Sequence, residues 1–94
     1  MFYFDFIALS VVIVRNPLTK KFLTIRETKN RGWWVPGGKV EPPEDLLNAS
    51  IRECKEEAAI DIQLKGLLRI IYDQNRQKYM KMKFVFYAEP IDVN

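Results

Sequence analysis

Apolar residues in this chain recur with a period of two, or run without interruption, in most segments outside one central helical stretch. Residues 4–15 are almost continuously apolar and rich in β-branched side chains, which predicts a buried strand. Residues 22–27 predict a second strand, paired with the first as a hairpin across an Asn-Pro turn. Residues 33–35 predict a short strand, which ends at Pro36 and a glycine pair.

The second half of the chain predicts one helix followed by two long strands. The helix is expected at residues 44–58, since acidic residues at its start suit the positive end of a helix. Residues 60–72 are apolar and extended with a bulge expected at Gly66, and residues 73–78 predict a polar turn. Residues 79–88 alternate between apolar and polar positions, which predicts a strand with one face on the core. The residues expected on that face are Met80, Met82, Phe84, Phe86 and Ala88.

Acidic and apolar residues occupy neighbouring faces of the predicted helix. A helix turns by roughly 100° per residue, so Glu53, Glu56 and Glu57 fall within roughly 100° of one another. Carboxylates gathered in this way bind hard divalent cations, although three solvated glutamates on a surface helix would give the same pattern. A separate apolar stripe is expected to pack against the core, and it consists of Leu47, Ile51, Cys54 and Ala58.

A fixed spacing links the glycine pair to the acidic residues of the helix. Five residues separate Gly38 from Glu44, and seven more separate Glu44 from an Arg-Glu pair that a double glutamate follows. This order resembles the signature of the Nudix hydrolases, and the matching positions are Gly38, Glu44, Arg52, Glu53, Cys54, Glu56, Glu57 and Ile60. Ala59 departs from the signature, which has glycine at this helix end, where φ is often positive. A left-handed Ala59 would cost about 1–2 kcal/mol, whereas an ordinary helical exit would shift the double glutamate slightly.

The resemblance implies an α+β fold, an alpha/beta/alpha sandwich in which a mixed β-sheet carries the helix at about residues 44–58. It also implies a second helix near the C-terminus, and this chain of 94 residues ends shortly after its last predicted strand. We therefore expect one Nudix-like domain over residues 1–94, incomplete at its C-terminus. One sheet face would then be open, and a second copy of the chain or a partner chain would cover it.

The same resemblance implies a metal-dependent hydrolase that breaks a diphosphate linkage in a nucleoside diphosphate derivative or a related compound. The metal is expected to be Mg²⁺ or Mn²⁺. The residues implied as its ligands are Glu53, Glu56, Glu57 and the backbone carbonyl of Gly38 or its neighbour Gly37. The alternative is a Nudix fold without turnover, which would bind a nucleotide or serve as a structural subunit of a larger assembly.

The resemblance also implies roles for residues near the metal ligands in the sequence. Arg52 is expected to pair with Glu44 and to orient Glu53, although a plain surface salt bridge between Arg52 and Glu44 is the alternative. Glu53 is the candidate general base, and Asp73 and Glu89 are less favoured substitutes for it.

Basic and aromatic residues near the motif are candidates for substrate binding. Trp34 or its neighbour Trp33 is expected to stack on a nucleobase, and the other to pack in the core, because neighbours on a strand face opposite sides. The side chains expected to meet phosphates are Arg26 and Lys39, with Lys29 and Arg31 as further candidates.

The amino-acid composition excludes several classes of active site and makes some locations and partners less favoured than others. The chain has no histidine, which excludes Ser-His-Asp and Cys-His catalysis and any zinc site with histidine ligands. A single cysteine leaves no internal disulfide, so an intracellular, cytoplasmic setting is the default expectation. The net charge of +3 is spread along the chain, which makes a nucleic-acid partner unlikely by comparison with a small-molecule substrate. The apolar N-terminal segment is shorter than the roughly 20 residues that a membrane-spanning helix needs.

Overall fold

The computed structural model describes residues 5–27, 32–75 and 79–94, and these ranges contain six strands and one helix. The elements are β1 (Asp5–Val14), β2 (Ile25–Glu27), β3 (Gly32–Trp34), β4 (Gly37–Lys39), α1 (Leu46–Ala58), β5 (Ile62–Asn75) and β6 (Tyr79–Pro90). Within these ranges, no helix combines the length and hydropathy that a membrane crossing needs. Parts of the prediction lie outside the described residues. They are residue 4 of the first predicted strand, residues 28–31, which include the candidates Lys29 and Arg31, and residues 76–78 of the predicted turn.

Four of the strands form a mixed sheet in the order β4-β1-β6-β5. β1 runs parallel to β6 and antiparallel to β4, and β5 and β6 form an antiparallel pair. A parallel pair needs a crossover connection, and the chain between β1 and β6 includes α1. β2 and β3 form a separate antiparallel pair. A mixed sheet that carries one helix in the described residues confirms the expected α+β class.

The core lies between α1 and one face of the mixed sheet. Alternation along β1 turns Ser10, Val12 and Val14 inward, and each of these side chains is at most 2% exposed. On β6, Phe86 and Ala88 of the predicted inward face are buried, and the other three residues of that face are half-buried. The main apolar cluster of the core consists of Val12, Val14, Cys54, Ile62 and Ala88.

Helix α1 begins at Leu46, two residues later than predicted. Asp45 is the N-cap residue, since its backbone is extended and its carboxylate accepts a hydrogen bond from the Asn48 N–H at 2.7 Å. Glu44 therefore lies in the loop before the helix. Its carboxylate is directed to Arg52, not to the N–H groups at the helix end.

The predicted apolar face of α1 is wrong at two positions. Leu47 is 53% exposed and Ile51 is 40% exposed, so neither side chain belongs to the core. The buried residues of the helix are Ala49, Ser50, Glu53 and Cys54. Mostly small side chains therefore face β1, and they let the helix axis approach the sheet closely. The spacing of apolar residues predicts that one side of the helix is apolar. Packing against the sheet determines which side is buried.

The partners of β2 and of the glycine pair also differ from the prediction. β2 pairs with β3, and a bridge between Arg15 and Phe22 stands in place of a continuous hairpin between the first two predicted strands. The glycine pair, which was expected only to end the preceding strand, forms the start of β4, and β4 is hydrogen-bonded to β1. Gly37 can lie directly on β1 because it has no side chain: a Cβ there would sit 3.2 Å from the Cα of Val11.

Strand β5 is a long edge strand with much apolar surface. Its register shifts against β6 between Leu64 and Gly66 and again between Leu67 and Arg69, which confirms the expected irregularity at Gly66. β5 continues to Asn75, so the predicted turn begins too early. Its exposed apolar residues are Leu67, Leu68, Ile70, Ile71 and Tyr72.

The sheet face opposite α1 carries a shallow depression of about 510 Å³. Its apolar lining includes Leu9, Val11, Ile13, Trp34, Ile71 and Val85. The expectation that a second copy or another chain covers this face stays a prediction.

Candidate functional site

Helix α1 packs across β1 and β4, so its acidic residues lie beside the glycine pair. Glu53 is 8% exposed, and its carboxylate lies against the Cα of Gly38. A Cβ added to Gly38 would come within 2.7 Å of the Glu53 carboxylate carbon and 3.0 Å of its Oε2, closer than such atoms approach. A side chain at position 38 would therefore require the Glu53 carboxylate to move.

Arg52 is anchored on Glu44 by several hydrogen bonds. Its Nε donates to the two Glu44 carboxylate oxygens at 3.2 and 3.0 Å, and its Nη2 donates to Oε1 at 2.7 Å. Nη2 also donates to the backbone carbonyl of Lys39 at 3.1 Å. The side chains of Arg52 and Glu44 are 22% and 19% exposed, so the predicted pair is present and is more sheltered than a plain surface salt bridge.

The other end of the Arg52 guanidinium faces two of the predicted metal ligands. Nη1 lies 3.1 Å from Oε1 of Glu53 and 3.1 Å from Oε2 of Glu56. One guanidinium therefore offsets the repulsion between two carboxylates on neighbouring turns of the helix. Of the residues that the structure describes, no three acidic or cysteine side chains converge closely enough to enclose an ion in this arrangement. The metal-ligand roles of the glutamates stay predictions.

Mutual contact shifts the pKa values of Glu44 and Arg52 in opposite directions. The hydrogen bonds from Arg52 are the largest influence that lowers the pKa of Glu44, and the Glu41 N–H, which donates to Oε1 at 2.9 Å, lowers it further. The hydrogen bond to Glu44 in turn raises the pKa of Arg52 above its already high ordinary value. Both groups are therefore charged at neutral pH, and the pair remains ionic.

Cys54 lies directly behind this acidic surface and is fully buried. Burial raises the pKa of its thiol to about 12, and the negative charges of Glu57 and Glu53 act in the same direction. A thiol with this pKa is protonated at neutral pH and is a poor nucleophile. Cys54 therefore belongs to the core, as the helical pattern predicts.

Ala59 ends the helix in the left-handed conformation, with φ 53° and ψ 36°. Its N–H donates to the carbonyl of Lys55 at 3.0 Å, which satisfies one of the last carbonyls of the helix. Of the two expected outcomes at this position, the structure has the left-handed one. The helix keeps its regular course through Glu56 and Glu57, and the strain falls on the alanine backbone.

An open cleft of about 590 Å³ lies beside the last turn of α1. Arg26 of β2 and Glu57 of α1 both line it, together with Gly37 of β4 and residues of the segment before β2. The structure therefore brings one predicted phosphate-binding residue and one predicted metal ligand to the same cleft.

The other predicted substrate contacts lie elsewhere. Trp34 is 61% exposed and lines the depression on the opposite face of the sheet. Trp33 is 66% exposed, so the expectation that one tryptophan packs in the core is wrong. The side chain of Lys39 is exposed, and its backbone carbonyl is the group that contacts Arg52.

The two substitutes for the general base lie on the β5–β6 pair. Glu89 accepts a hydrogen bond from the Tyr87 hydroxyl at 3.2 Å and lies 3.8 Å from the Lys65 ammonium. Asp73 is opposite Lys81 in the register of β5 and β6 and is exposed. Neither Glu89 nor Asp73 lies on α1, which carries Glu53, or on β4, which is beside it.

Sequence reasoning missed a buried polar contact beneath the site. The hydroxyls of Ser10 on β1 and Ser50 on α1 are hydrogen-bonded at 2.5 Å, and both residues are fully buried. The signal was a serine in the middle of a continuous apolar strand, since a buried hydroxyl requires a partner. The partner itself, forty residues away, is not readable from the sequence.

Comparisons with known proteins place this geometry in a family. The sequence profile described as NUDIX domain matches residues 6–93. The uncharacterized Nudix hydrolase YvcI of Bacillus subtilis is 45% identical over 64 residues, which is 63% of this chain and 40% of that protein. The 8-oxo-dGDP phosphatase NUDT18 of Homo sapiens is 37% identical over 71 residues, which is 72% of this chain and 21% of that protein.

Solved structures agree on the fold. The crystal structure of the MutT protein from Methanosarcina mazei Go1 superimposes with a TM-score of 0.72 and 26% identity, covering 93% of this chain and 65% of that chain. The chain spans less than half the length of the two curated relatives above. Because the family profile matches residues 6–93 of the 94, this chain belongs to the NUDIX domain family.

Proposed function

We propose that this chain hydrolyses the diphosphate linkage of a nucleoside diphosphate derivative or a related compound, with Mg²⁺ or Mn²⁺ as cofactor. The observation that carries the proposal is the placement of Arg52, which is anchored on Glu44 and faces the carboxylates of Glu53 and Glu56. Relatives support the reaction class: one is named a phosphatase of 8-oxo-dGDP, and another a diphosphoinositol polyphosphate phosphohydrolase.

The chemistry of the residues beside β4 suits a hard cation. Carboxylate and carbonyl oxygens are the ligands that Mg²⁺ prefers, and Glu53, Glu56 and Glu57 would hold the ion with the backbone carbonyl of Gly38. Because Gly38 has no side chain, the Glu53 carboxylate can lie beside the glycine backbone. When bound, such an ion neutralises phosphate charge and lowers the pKa of a water molecule that attacks phosphorus.

Protein groups supply orientation and a site for the proton. Glu44 holds Arg52 through Nε and Nη2, which leaves Nη1 directed at Glu53 Oε1. Arg52 thereby restricts the rotamers of Glu53, and a restricted carboxylate accepts a proton from water with little reorganisation. In this assignment Glu53 is the general base, and Arg52 and Glu44 position it.

The cleft beside α1 is the proposed place for the phosphates. Arg26 lines it with Glu57, and in this proposal its guanidinium binds a phosphate that approaches the metal ligands. Trp34 is largely exposed but lines the depression on the opposite face of the sheet, so it is not assigned to this cleft. Lys39 is proposed to add positive charge near the phosphates.

The decisive experiment is hydrolysis of a panel of nucleoside diphosphates and their derivatives, with Mg²⁺ and with a chelator. We expect release of phosphate or of a nucleoside monophosphate from at least one compound, only when the metal is present. Glu57→Gln, which removes one proposed ligand, is expected to lower kcat/KM by about 100-fold. Activity that survives both the chelator and Glu57→Gln would overturn the proposal.

The matched control is Glu89→Gln, the same substitution on β6. Glu89 is engaged by Tyr87 and Lys65, so its loss is expected to leave kcat/KM within about threefold of wild type. A large loss of kcat/KM in this variant would indicate that Glu89, and not Glu53, is the general base. Nucleotide binding without turnover of any compound in the panel would assign the binding role in place of hydrolysis.

A further inference from the structure

Two buried hydroxyls connect the acidic helix to the sheet. The Oγ atoms of Ser10 and Ser50 are 2.5 Å apart, and both residues have no exposed surface. Ser50 Oγ also donates to the carbonyl of Leu46 at 2.9 Å. A hydroxyl has one proton, so Ser10 is the donor to Ser50 in this chain of hydrogen bonds.

These serines belong to a closed ring of contacts that includes the candidate base. Ser10 of β1 is directly opposite Gly38 of β4 in the sheet register. The Cα of Gly38 lies against the carboxylate of Glu53. Glu53 is three residues after Ser50, and both are on the buried face of α1. The hydrogen bond between Ser50 and Ser10 closes the ring.

The side chains that pack around this ring are mostly small, and another polar contact between α1 and the sheet is the hydrogen bond from Arg52 to the Lys39 carbonyl of β4. The buried face of α1 has Ala49, Ser50 and Cys54, while its larger Leu47 and Ile51 side chains are exposed. Small apolar groups attract without direction, and they interlock less than large side chains do. A short hydrogen bond depends steeply on distance and angle, so it restricts sliding and rotation of the helix.

We infer that Ser10 and Ser50 are positioning residues, whose hydrogen bond sets the distance between the Glu53 carboxylate and the Gly38 backbone. This inference rests on the proposed function, in which both groups hold the metal ion. Loss of the hydrogen bond lets the helix shift against β1 while Arg52 still holds it to β4, and the Glu53 carboxylate then moves relative to the Gly38 backbone. Metal affinity falls even though the fold persists.

The test is Mn²⁺ binding, measured by isothermal titration calorimetry on the folded chain, with thermal unfolding measured in parallel. The variants are Ser10→Ala, Ser50→Ala and the double variant, which leaves no unpaired buried hydroxyl and is therefore expected to fold. Each variant is expected to bind Mn²⁺ about ten-fold more weakly, and the double variant no more weakly than either single one. Ser10→Cys, which is nearly isosteric, decides the question if the alanine variants do not fold.

Cys54→Ala is the matched control, because Cys54 is equally buried on the same helix face and its role is packing alone. It is expected to lower the unfolding temperature and to leave Mn²⁺ affinity within about twofold of wild type. Folded serine variants with wild-type Mn²⁺ affinity would overturn the positioning role alone. A wild-type chain that binds no Mn²⁺ would overturn the proposed metal site, and the inference with it.

Discussion

Arg52 donates three hydrogen bonds to the carboxylate of Glu44, a residue that lies just outside the helix on which Arg52 stands. The contact ties the loop before α1 to the second turn of the helix. Because Nε and Nη2 are engaged in this way, Nη1 is left to contact Glu53 and Glu56. The orientation of two candidate metal ligands thus depends on a residue outside the helix that carries them.

The Arg52–Glu44 pair predicts a specific dependence of stability on pH. The pKa of Glu44 is lower in the folded chain than its ordinary value of 4.5. The stability from this carboxylate is therefore fully present above about pH 4.5, and it is lost as pH falls through the lowered folded pKa. In Glu44→Gln, the unfolding temperature is expected to fall less steeply with acid over this window. Glu89→Gln serves as the control, and equal slopes for wild type and Glu44→Gln would contradict the prediction.

Gly38→Ala is expected to displace the Glu53 carboxylate, because the new Cβ would lie 2.7 Å from the carboxylate carbon. Mn²⁺ affinity, measured by calorimetry, should fall at least about ten-fold while the chain remains folded. Gly66→Ala is the matched control, since a Cβ there meets no atom within 4 Å. Unchanged affinity in folded Gly38→Ala would remove Glu53 from the proposed ligand set.

Ala59→Gly is expected to stabilise the chain. An L-residue in the left-handed region costs about 1–2 kcal/mol, and the greater freedom of glycine in the unfolded chain cancels about half of the gain. The net increase in the free energy of unfolding should be on the order of 1 kcal/mol in a urea titration. Ala58→Gly, one residue earlier in regular helix, should instead lose about 1 kcal/mol. Destabilisation by Ala59→Gly would mean that position 59 does not adopt its left-handed conformation in solution.

Cys54 is expected to resist thiol reagents for as long as the chain is folded. The side chain has no exposed surface, so a reagent reaches it only after local or global unfolding. Labelling with iodoacetamide should be slow in buffer and should become fast in concentrated urea, as followed by mass spectrometry. Rapid modification of the native chain at neutral pH would show that the α1–sheet packing opens readily.

Comparison of the elements shows which features are local. Helix α1, strands β5 and β6 and the irregularity at Gly66 follow from hydrophobic period and from glycine, and these signals span only a few residues. The pairing of Arg52 with Glu44 was likewise expected, because the resemblance to the Nudix signature implies it. The exposure of Leu47 and the pairing of β2 with β3 were not, since each depends on which distant surface is available.

Sequence by itself determined the family, the approximate position of the helix and the identity of the acidic residues on one side of it. Tertiary structure decided that Glu53, and not Ile51, faces the sheet, that the Glu53 carboxylate occupies the space where a side chain at position 38 would lie, and that Ser10 meets Ser50. The physical reason is that periodicity records only the local conformation of the backbone. Residues forty positions apart come into contact only when β1, β4 and α1 pack together. That packing determines which side chains contact one another.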